Sequence, residues 1–328
     1  MKIYHDNDVD DAIVRDKVIA VIGYGIQGRA QAQNWKDSGF KVIVGLRPEG
    51  KTWQQAKDDG MEVMAIEDAA KKGDIICLLT PDMPQKEIYQ TQIKKHMKAG
   101  KTLYFSHGFN ITYKQIRIPS GVDVIMAAPK GPGAKVRQTY KEGFGTPAVI
   151  AVAQDASGNA KNIALAMAKG LHSTKAGVFE CTFDQETYTD LFGEQAVLCG
   201  GTAELIKAGF ETLVEDGFPP EMAYFEVLHE LKLIVDLIQE GGLEYMWSKV
   251  SETARYGGRT RGKLVVDART KKKMKKILGQ IKGGKFAREW IKEYYSGKKI
   301  FEDMREKESQ HQIEIVGAEI RSLFQKPK

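Results

Sequence analysis

Short, nearly continuous apolar runs recur through the first half of the chain and alternate with stretches of helical periodicity. Strands buried on both faces of a sheet read this way, because neither of their faces meets water. Most of the runs end at a Gly, a Pro or a polar turn, and they cover residues 17–23, 41–46, 74–80, 102–107, 123–129 and 147–153. The alternation predicts an α/β fold with a parallel-rich sheet wrapped by helices.

The pattern changes near Phe183, where long helical periodicity replaces the apolar runs. The segment 219–242 opens with a Pro pair and ends with a Gly pair, the usual punctuation of a helix. We therefore predict two domains: residues 1–181 hold the sheet, and residues 182–328 are all-helical.

The segment VIGYGIQGRAQ carries Gly23, Gly25 and Gly28 with the spacing GxGxxG, directly after one predicted strand and at the start of a predicted helix. The first glycine permits a tight turn, the second lets the backbone approach a pyrophosphate, and the third lets helix and strand pack closely. The helix N-terminus favours phosphate groups. The motif predicts a dinucleotide-binding domain of the Rossmann type, and a glycine-rich turn without a ligand is the alternative.

The segment GLRPEGKTW, after the second predicted strand, gives mixed evidence on the choice between NAD and NADP. Arg47 stands where an acid often binds the ribose hydroxyls, and an arginine favours a 2′-phosphate. Glu49 would repel that phosphate, and Gly50 has no side chain to contribute, whereas Lys51 and Thr52 are available to it. The loop TPDMPQ (residues 80–85) is a second candidate, either lining the nicotinamide side of the cleft or forming a plain surface turn.

Two pairs of acidic residues interrupt largely apolar helical segments in the second half of the chain. Asp190 and Glu194 lie in DLFGEQAVLCGG, and Glu226 and Glu230 lie in YFEVLHELKL. Residues four apart share a helix face, where like charges are destabilising and an apolar flank raises the cost. Two Mg²⁺ ions would remove that cost and use all four carboxylates. Two solvated helix surfaces are the alternative.

Charge and cysteine content argue against several other classes of protein. Much of the basic surplus behind the net charge of +6 lies between Arg261 and Lys299, and its run KKKMKK (271–276) lacks the interleaved aromatic residues of a base-stacking surface. The scattered Cys77, Cys181 and Cys199 form no CxxC pair, so neither a zinc knuckle nor a disulfide framework is expected. Neither an apolar run of about 18 residues nor a signal core occurs. We expect a cytoplasmic protein with no membrane or nucleic-acid partner.

Several motifs together resemble ketol-acid reductoisomerase, an enzyme family of branched-chain amino-acid biosynthesis. They are GYGIQGRAQAQN, FSHGFNI, APKGPG, TDLFGEQAVLCGG, EMAYFEVLHELKLIVDLIQEGG and SETARYGG, and the length matches the short, class I form. The resemblance implies Mg²⁺-dependent alkyl migration in 2-acetolactate or 2-aceto-2-hydroxybutyrate, followed by NAD(P)H reduction to a 2,3-dihydroxy-3-methyl acid. It also implies a knotted, all-α C-terminal domain.

The resemblance assigns a metal site to the two acidic pairs. Asp190, Glu194, Glu226 and Glu230 match the ligands of two Mg²⁺ ions, and Asp190 bridges both. In the short form the second pair comes from the other subunit, so the resemblance implies a homodimer with a shared active site. Larger assemblies also occur on this fold.

The remaining site residues are carried over in the same way. His107 and Lys130 match residues of the catalytic site, Glu230 is a candidate proton shuttle, and Ser251 matches a contact to the substrate carboxylate. With the motif glycines and Glu49 included, the expected coenzyme contacts are Gly23, Tyr24, Gly25, Ile26, Gln27, Gly28, Arg47, Glu49, Gly50, Thr52, Asp82, Met83, Pro84, Gln85 and Gly133.

A few positions depart from the usual pattern of the family. Arg29 and Ala134 each replace a common histidine. Gly50 and Thr52 stand where NADPH-using members usually have serines, and Glu49 adds an opposing charge. We therefore expect NADH to be favoured over NADPH, with NADPH or dual use as the alternative.

Two other functions fit parts of the sequence. A metal-free 3-hydroxy-acid dehydrogenase would share the first half of the chain and leave the acidic pairs exposed. A nucleotide-sensing binding module would use the basic run for nucleic acid.

Overall fold

The computed structural model of the chain describes residues 2–324. Their contacts divide the chain into two compact units, Met1–Thr189 and Asp190–Lys328. The division falls inside helix α10 (Phe183–Gly193), the first helix after the predicted boundary at residues 181 and 182.

One twisted sheet organises the first unit. In its described part the strands are β1 (Ile3–Tyr4), β2 (Val18–Ile22), β3 (Lys41–Leu46), β4 (Glu62–Ala65), β5 (Ile75–Leu78), β6 (Thr102–Phe105), β7 (Asp123–Pro129), β8 (Ala148–Gln154) and β9 (Val178–Glu180). Their spatial order is β1, β9, β8, β7, β6, β5, β2, β3, β4. Neighbours pair in parallel except at β1–β9 and β7–β8. The predicted parallel-rich sheet is confirmed, and β1, β4 and β9 add three short strands to the six that were predicted.

Helices cover both faces of the sheet. They are α1 (Ala12–Arg15), α2 (Ile26–Asp37), α3 (Lys51–Asp58), α4 (Ile66–Lys72), α5 (Asp82–Ile88), α6 (Phe109–Thr112), α7 (Gly133–Lys141), α8 (Ala160–Gly170) and α9 (Ser173–Ala176). Strand β2 shows why its sequence is apolar throughout: Ile19 and Val21 enter one core, and Ala20 and Ile22 enter the other. Each fully buried aliphatic side chain contributes about 1.5–3 kcal/mol to the free energy of folding.

Strand β2 lies at the point where the order of the strands reverses, with β3 on one side and β5 on the other. In open α/β sheets, ligands bind in the crevice beyond the carboxyl ends of the strands at this point. The glycine-rich turn follows β2 directly, so the fold places the predicted dinucleotide motif where such a ligand is expected.

The second unit is helical throughout its described part. After α10 come α11 (Gly200–Glu215), α12 (Pro220–Tyr224), α13 (Leu231–Lys249), α14 (Glu252–Val265), α15 (Ala268–Lys282), α16 (Lys285–Tyr295), α17 (Lys299–Ser309) and α18 (Gln312–Phe324). Two wider, π-helical turns, Glu194–Leu198 and Phe225–His229, precede α11 and α13. Helix α13 is broken at Gly242, whose φ of 83° is not helical. The knotted path implied by the family resemblance stays a prediction.

The core of the second unit is small for its length. Its buried cluster is formed by Phe210, Ala223, Tyr224, Ile313, Val316 and Ile320. Large apolar side chains remain exposed elsewhere in the unit, among them Leu198 (69%), Leu243 (63%) and Leu264 (74%).

The lysines of the basic run at residues 271–276 are exposed on α15, whereas Ile281 of the same helix is buried, as expected for a solvated helix face. Among the helices of residues 2–324, none has the length and apolar composition needed to cross a membrane.

Candidate functional site

The turn between β2 and α2 is shaped by its glycines. Gly23 has a φ of +100°, in the region that favours glycine. A Cβ atom on Gly28 would lie 2.3 Å from the carbonyl oxygen of Gly23, so only a glycine lets α2 start this close to the turn. The first amides of α2 have no acceptor within the helix, and the positive end of the helix dipole adds to their attraction for phosphate.

A cavity of about 640 Å³ lies against this turn. The residues expected to contact the coenzyme that line it are Tyr24, Gly25, Ile26, Thr52 and Gly133. Gly133 begins α7, where a Cβ atom would lie 2.0 Å from the carbonyl oxygen of Ile26. Arg29 and Ala134, the two departures from the family pattern, line the same cavity. Its lining does not include His107 or Lys130, so it belongs to the coenzyme end of the unit.

A polar network holds one wall of the cavity. The Tyr24 hydroxyl donates to Asp59 Oδ2 at 2.9 Å, and Arg29 donates to the same carboxylate through Nε at 2.7 Å and through Nη2 at 2.9 Å. Hydrogen bonds from Arg29 lower the pKa of Asp59, while burial and the neighbouring carboxylate raise the pKa of Tyr24. Arg29 thus joins α2 to the end of α3. The Tyr24 side chain is buried, which leaves its backbone for any coenzyme contact.

The loop that was expected to select the coenzyme is exposed at Arg47 and Glu49. Glu49 adopts a left-handed φ of 59°, and the Gly50 amide donates to the Arg47 carbonyl at 3.2 Å. Gly50 is the N-cap of α3 but offers no side chain to cap the helix. Thr52 lies in the first turn of α3 and faces the cavity.

The predicted segment Asp82–Gln85 forms the first turn of α5. Met83 and Gln85 are buried. Gln85 Nε2 donates to the Thr80 carbonyl at 2.8 Å, and Gln85 Oε1 accepts from Asn110 at 2.9 Å. The side chain of Gln85 therefore ties the loop after β5 to the segment after β6.

His107 and Lys130 meet at Glu186, which was not among the predicted site residues. His107 follows β6 and Lys130 follows β7, and these parallel neighbours end at the same edge of the sheet. His107 Nδ1 lies 3.1 Å from Glu186 Oε2, and Lys130 Nζ lies 2.9 Å from Glu186 Oε1. The Gly108 amide also donates to Oε2, at 3.1 Å. One carboxylate on α10 thus orients both predicted catalytic residues.

The Glu186 side chain is only 1% exposed, and burial by itself raises the pKa of a carboxyl group. Hydrogen bonds and charges from His107 and Lys130 outweigh the burial, so the pKa of Glu186 is lowered from its usual value. The carboxylate is therefore ionised at neutral pH and holds the positive charge of Lys130 in place.

Asp190 lies one helical turn beyond Glu186. Ligand atoms of His107, Glu186 and Asp190 all lie within 4.8 Å of one another, and within residues 2–324 this is the group of His, Cys, Asp and Glu side chains with metal-ligand spacing. Glu186, Asp190 and Glu194 continue one acidic series at intervals of four residues, a signal in the sequence that would have pointed to Glu186.

The other predicted metal ligands do not join that group in the described part of the single chain. Glu194, Glu226 and Glu230 are exposed. Neither Glu226 nor Glu230 forms an ion pair or a side-chain hydrogen bond with a residue that the structure describes. Ser251 is the N-cap of α14, and its Oγ accepts from the Ala254 amide at 3.1 Å.

Comparisons with known proteins cover nearly the whole chain. Residues 13–177 match the family model described as "Acetohydroxy acid isomeroreductase, NADPH-binding domain", and residues 183–326 match "Ketol-acid reductoisomerase, C-terminal domain". The chain is 54% identical to the ketol-acid reductoisomerase (NAD(+)) of an uncultured archaeon, over 99% of each protein. It is 56% identical to the ketol-acid reductoisomerase (NADP(+)) of Methanocaldococcus jannaschii, over 98% of each.

A solved structure agrees with these matches. It is described as an NADH-preferring ketol-acid reductoisomerase from an uncultured archaeon. The TM-score is 0.97 at 54% identity, over 99% of this chain and 100% of the other.

Replacing Glu186 by Gln tests the network around the buried carboxylate. We expect a loss of about 1.5–3 kcal/mol in the free energy of unfolding at pH 7, because hydrogen bonds to a charged group are lost. Since the folded pKa is lowered, the contribution of Glu186 is complete above the usual value of 4.5 and is lost as the pH falls through the folded pKa. The difference between wild type and Glu186→Gln should therefore shrink below about pH 4.5.

Denaturant unfolding at a series of pH values measures this difference. Glu62→Gln, which breaks an exposed ion pair with Lys72, serves as the control and should cost less than about 1 kcal/mol. Equal stability of Glu186→Gln and wild type at pH 7 would contradict the assignment.

Proposed function

The chain belongs to the ketol-acid reductoisomerase family, and on that basis we propose that it converts 2-acetolactate and 2-aceto-2-hydroxybutyrate to 2,3-dihydroxy-3-methyl acids by alkyl migration and NAD(P)H reduction. The observation that carries the proposal is the placement of His107 and Lys130 on one buried carboxylate, at the sheet edge that also carries the glycine-rich turn. Family membership argues against the alternative of a metal-free 3-hydroxy-acid dehydrogenase.

The donor set fits Mg²⁺, which prefers carboxylate oxygens. Asp190 belongs to the group with metal-ligand spacing that also contains His107 and Glu186. Glu226 and Glu230 form no ion pair with a described residue. We assign Asp190, Glu194, Glu226 and Glu230 as the side chains that would hold two Mg²⁺ ions. When bound, the ions supply Lewis-acid polarisation of the substrate ketone and hydroxyl oxygens.

The chain's own residues orient the substrate and handle protons. The carboxylate of Glu186 favours a proton on His107 Nδ1 and so fixes the orientation of the imidazole ring. Lys130 brings a positive charge to the same place and stabilises negative charge on substrate oxygens. Glu230 is the proposed proton shuttle. Ser251, whose Oγ accepts from the backbone, keeps its hydroxyl proton to donate to the substrate carboxylate.

The coenzyme is a nicotinamide dinucleotide, and we propose a preference for NADH. The exposed carboxylate of Glu49 and the missing side chain at Gly50 weaken binding of a 2′-phosphate. The similarity to an NADH-preferring structure supports the same choice, whereas relatives of comparable identity are named for NADP(+). We assign the predicted coenzyme contacts to the turn at Gly23–Gly28, to the loop at Arg47–Thr52, to Asp82–Gln85 and to Gly133.

We also propose a homodimer whose active site is shared. The two acidic pairs lie on separate segments of the second unit, and the described residues of one chain do not gather them. Exposed apolar side chains on the same unit support a partner surface. In this arrangement one chain supplies Asp190 and Glu194 and its partner supplies the second pair.

Complementation of two inactive variants tests the metal ligands and the shared site together. Asp190→Asn removes a carboxylate from one pair and Glu226→Gln removes a carboxylate from the other, so each homodimer should lose Mg²⁺-dependent consumption of NADH with 2-acetolactate. Subunits that are mixed, unfolded and refolded in equal amounts form heterodimers with one intact site. We expect about a quarter of wild-type specific activity, because half of the dimers carry one intact site out of two.

The matched control mixes Asp190→Asn with Glu194→Gln, two changes in the same pair, and should give no recovery. Wild-type activity should vanish with EDTA and return with Mg²⁺. Activity in wild type after complete metal removal would contradict the proposed reaction, and absence of recovery in the first mixture would contradict the shared site.

The coenzyme preference is tested by kcat/KM for NADH and NADPH. We expect NADH to be the better coenzyme, and we expect Glu49→Ser combined with Gly50→Ser to shift the ratio toward NADPH by about tenfold, or about 1.4 kcal/mol. The double variant removes the opposing charge and adds two hydroxyl donors, and a serine at position 50 also suits the N-cap of α3. Its Cβ atom would lie 3.2 Å from the Arg47 carbonyl oxygen, a contact that needs only a small shift.

Asp58→Ser removes an acid from the far end of α3 and is the control, with an unchanged ratio expected. A wild type that already prefers NADPH by tenfold would show that the loop does not select NADH.

A further inference from the structure

Two helical turns of the second unit are wider than α-helical turns. The Cys199 amide donates to the Glu194 carbonyl at 3.0 Å, and the Glu230 amide donates to the Phe225 carbonyl at 3.1 Å. Both hydrogen bonds span five residues, the π-helical pattern, which occurs frequently at functional sites. Three of the four proposed metal ligands lie in these turns or directly after them.

Gly200 and Gly201, at the start of α11, make the width of the first turn possible. A Cβ atom on Gly200 would lie 2.4 Å from the carbonyl oxygen of Gln195, and one on Gly201 would lie 2.2 Å from that of Ala196. Each of these carbonyl groups belongs to the residue five positions earlier. A side chain at either position would force the backbone to move, because these contacts are with backbone atoms.

Helix α11 links the first turn to the second. It begins at Gly200, and its buried Phe210 belongs to a cluster against which Val227 of the second turn packs. A Cβ atom on Gly209 would lie 3.3 Å from Val227 Cγ1, so the second turn rests closely on α11. The rotation of the first turn therefore sets how the Asp190–Glu194 face is oriented relative to α11.

We propose that Gly200 and Gly201 are positioning residues for the divalent-cation site: by admitting the wide turn, they fix the direction of Asp190 and Glu194. The proposal rests on the metal site assigned under the proposed function. One residue corresponds to about 100° of rotation in an α-helix. Closing the turn to α-helical width would rotate the acidic face by about that angle relative to α11.

Gly201→Ala tests the proposal, with Mn²⁺ as the probe in the full-length chain. Titration followed by the electron paramagnetic resonance signal of free Mn²⁺ should show a Kd raised by about 10–100-fold, the usual effect of disturbing the residues that support metal ligands. NADH binding, measured by fluorescence, should stay within about twofold of wild type, because the glycine-rich turn lies in the other unit. This pair of readouts separates positioning from a general loss of structure.

Gly279→Ala is the matched control. Gly279 lies within α15, and a Cβ atom there would meet nothing within 4 Å. Its Mn²⁺ affinity should equal that of wild type. An unchanged Kd in Gly201→Ala would overturn the positioning role, whereas a wild type that binds no Mn²⁺ would overturn the metal site itself.

A deletion keeps the test decisive if Gly201→Ala does not fold. Removing Val197, which is 46% exposed, takes one residue out of the wide turn and allows an α-helix. Because the deletion closes the turn without rotating the acidic face relative to α11, we expect the deletion combined with Gly201→Ala to fold and to bind Mn²⁺ within about threefold of wild type. A combined variant that folds but binds Mn²⁺ at least about tenfold more weakly would refute the proposal.

Discussion

The electrostatic cost of holding carboxylates close together in largely apolar helical segments is the constraint on which the rest of the structure depends. Glu186 shows how the chain meets this cost by itself, since His107 and Lys130 neutralise a side chain that is almost fully buried. Glu226 and Glu230 have no such partner among the described residues. Both side chains are exposed, and we propose that they bind a hard divalent cation, the species that carboxylate oxygens suit best. Asp190 lies one helical turn from Glu186 and shares its group of closely spaced side chains, and it is also one of the proposed cation ligands.

In both units, glycines allow the backbone of a helix to approach a carbonyl oxygen closely. In the first unit, Gly28 lets a helix begin against the Gly23 carbonyl, and the amides exposed there suit phosphate groups. In the second unit, Gly201 lets a helix pass close to the Ala196 carbonyl, and the wide turn aims acidic side chains. The first arrangement presents backbone donors that suit an anion, and we propose that the second orients side-chain carboxylates toward divalent cations.

Much of the fold was predictable because its strongest elements are buried on both sides. The runs at β2, β3, β5, β6, β7 and β8 are continuous and apolar, whereas β4 is a half-exposed edge strand and β1 has only two residues. Short edge strands leave little periodicity to detect. The two π-helical turns were not predicted, because one extra residue in a helical turn hardly alters the 3.6-residue hydrophobic periodicity. Partners distant in sequence, such as Glu186 for His107, depend on how the sheet brings strand ends together.

Some candidate site residues could be interpreted from their neighbours in the sequence, whereas others depend on contacts with residues distant in the sequence. The glycine motif could be interpreted from neighbouring residues alone, and the structure places it at the switch point of the sheet. Tyr24 and Gln85 were selected as coenzyme contacts, yet their side chains are buried and bonded to Asp59 and Asn110. Sequence alone does not distinguish a backbone contact from a side-chain contact. The second acidic pair poses a further difficulty, because its proposed counterpart lies on another copy of the chain.

The most direct test of the account is a crystal structure of the chain grown with Mg²⁺ and NADH. The account predicts two ions about 3.5–4 Å apart, ligated by Asp190 and Glu194 of one protomer and by the partner's Glu226 and the partner's Glu230. Density for Asp190 and Glu194 pointing into solvent, with no ion between the two pairs, would contradict it.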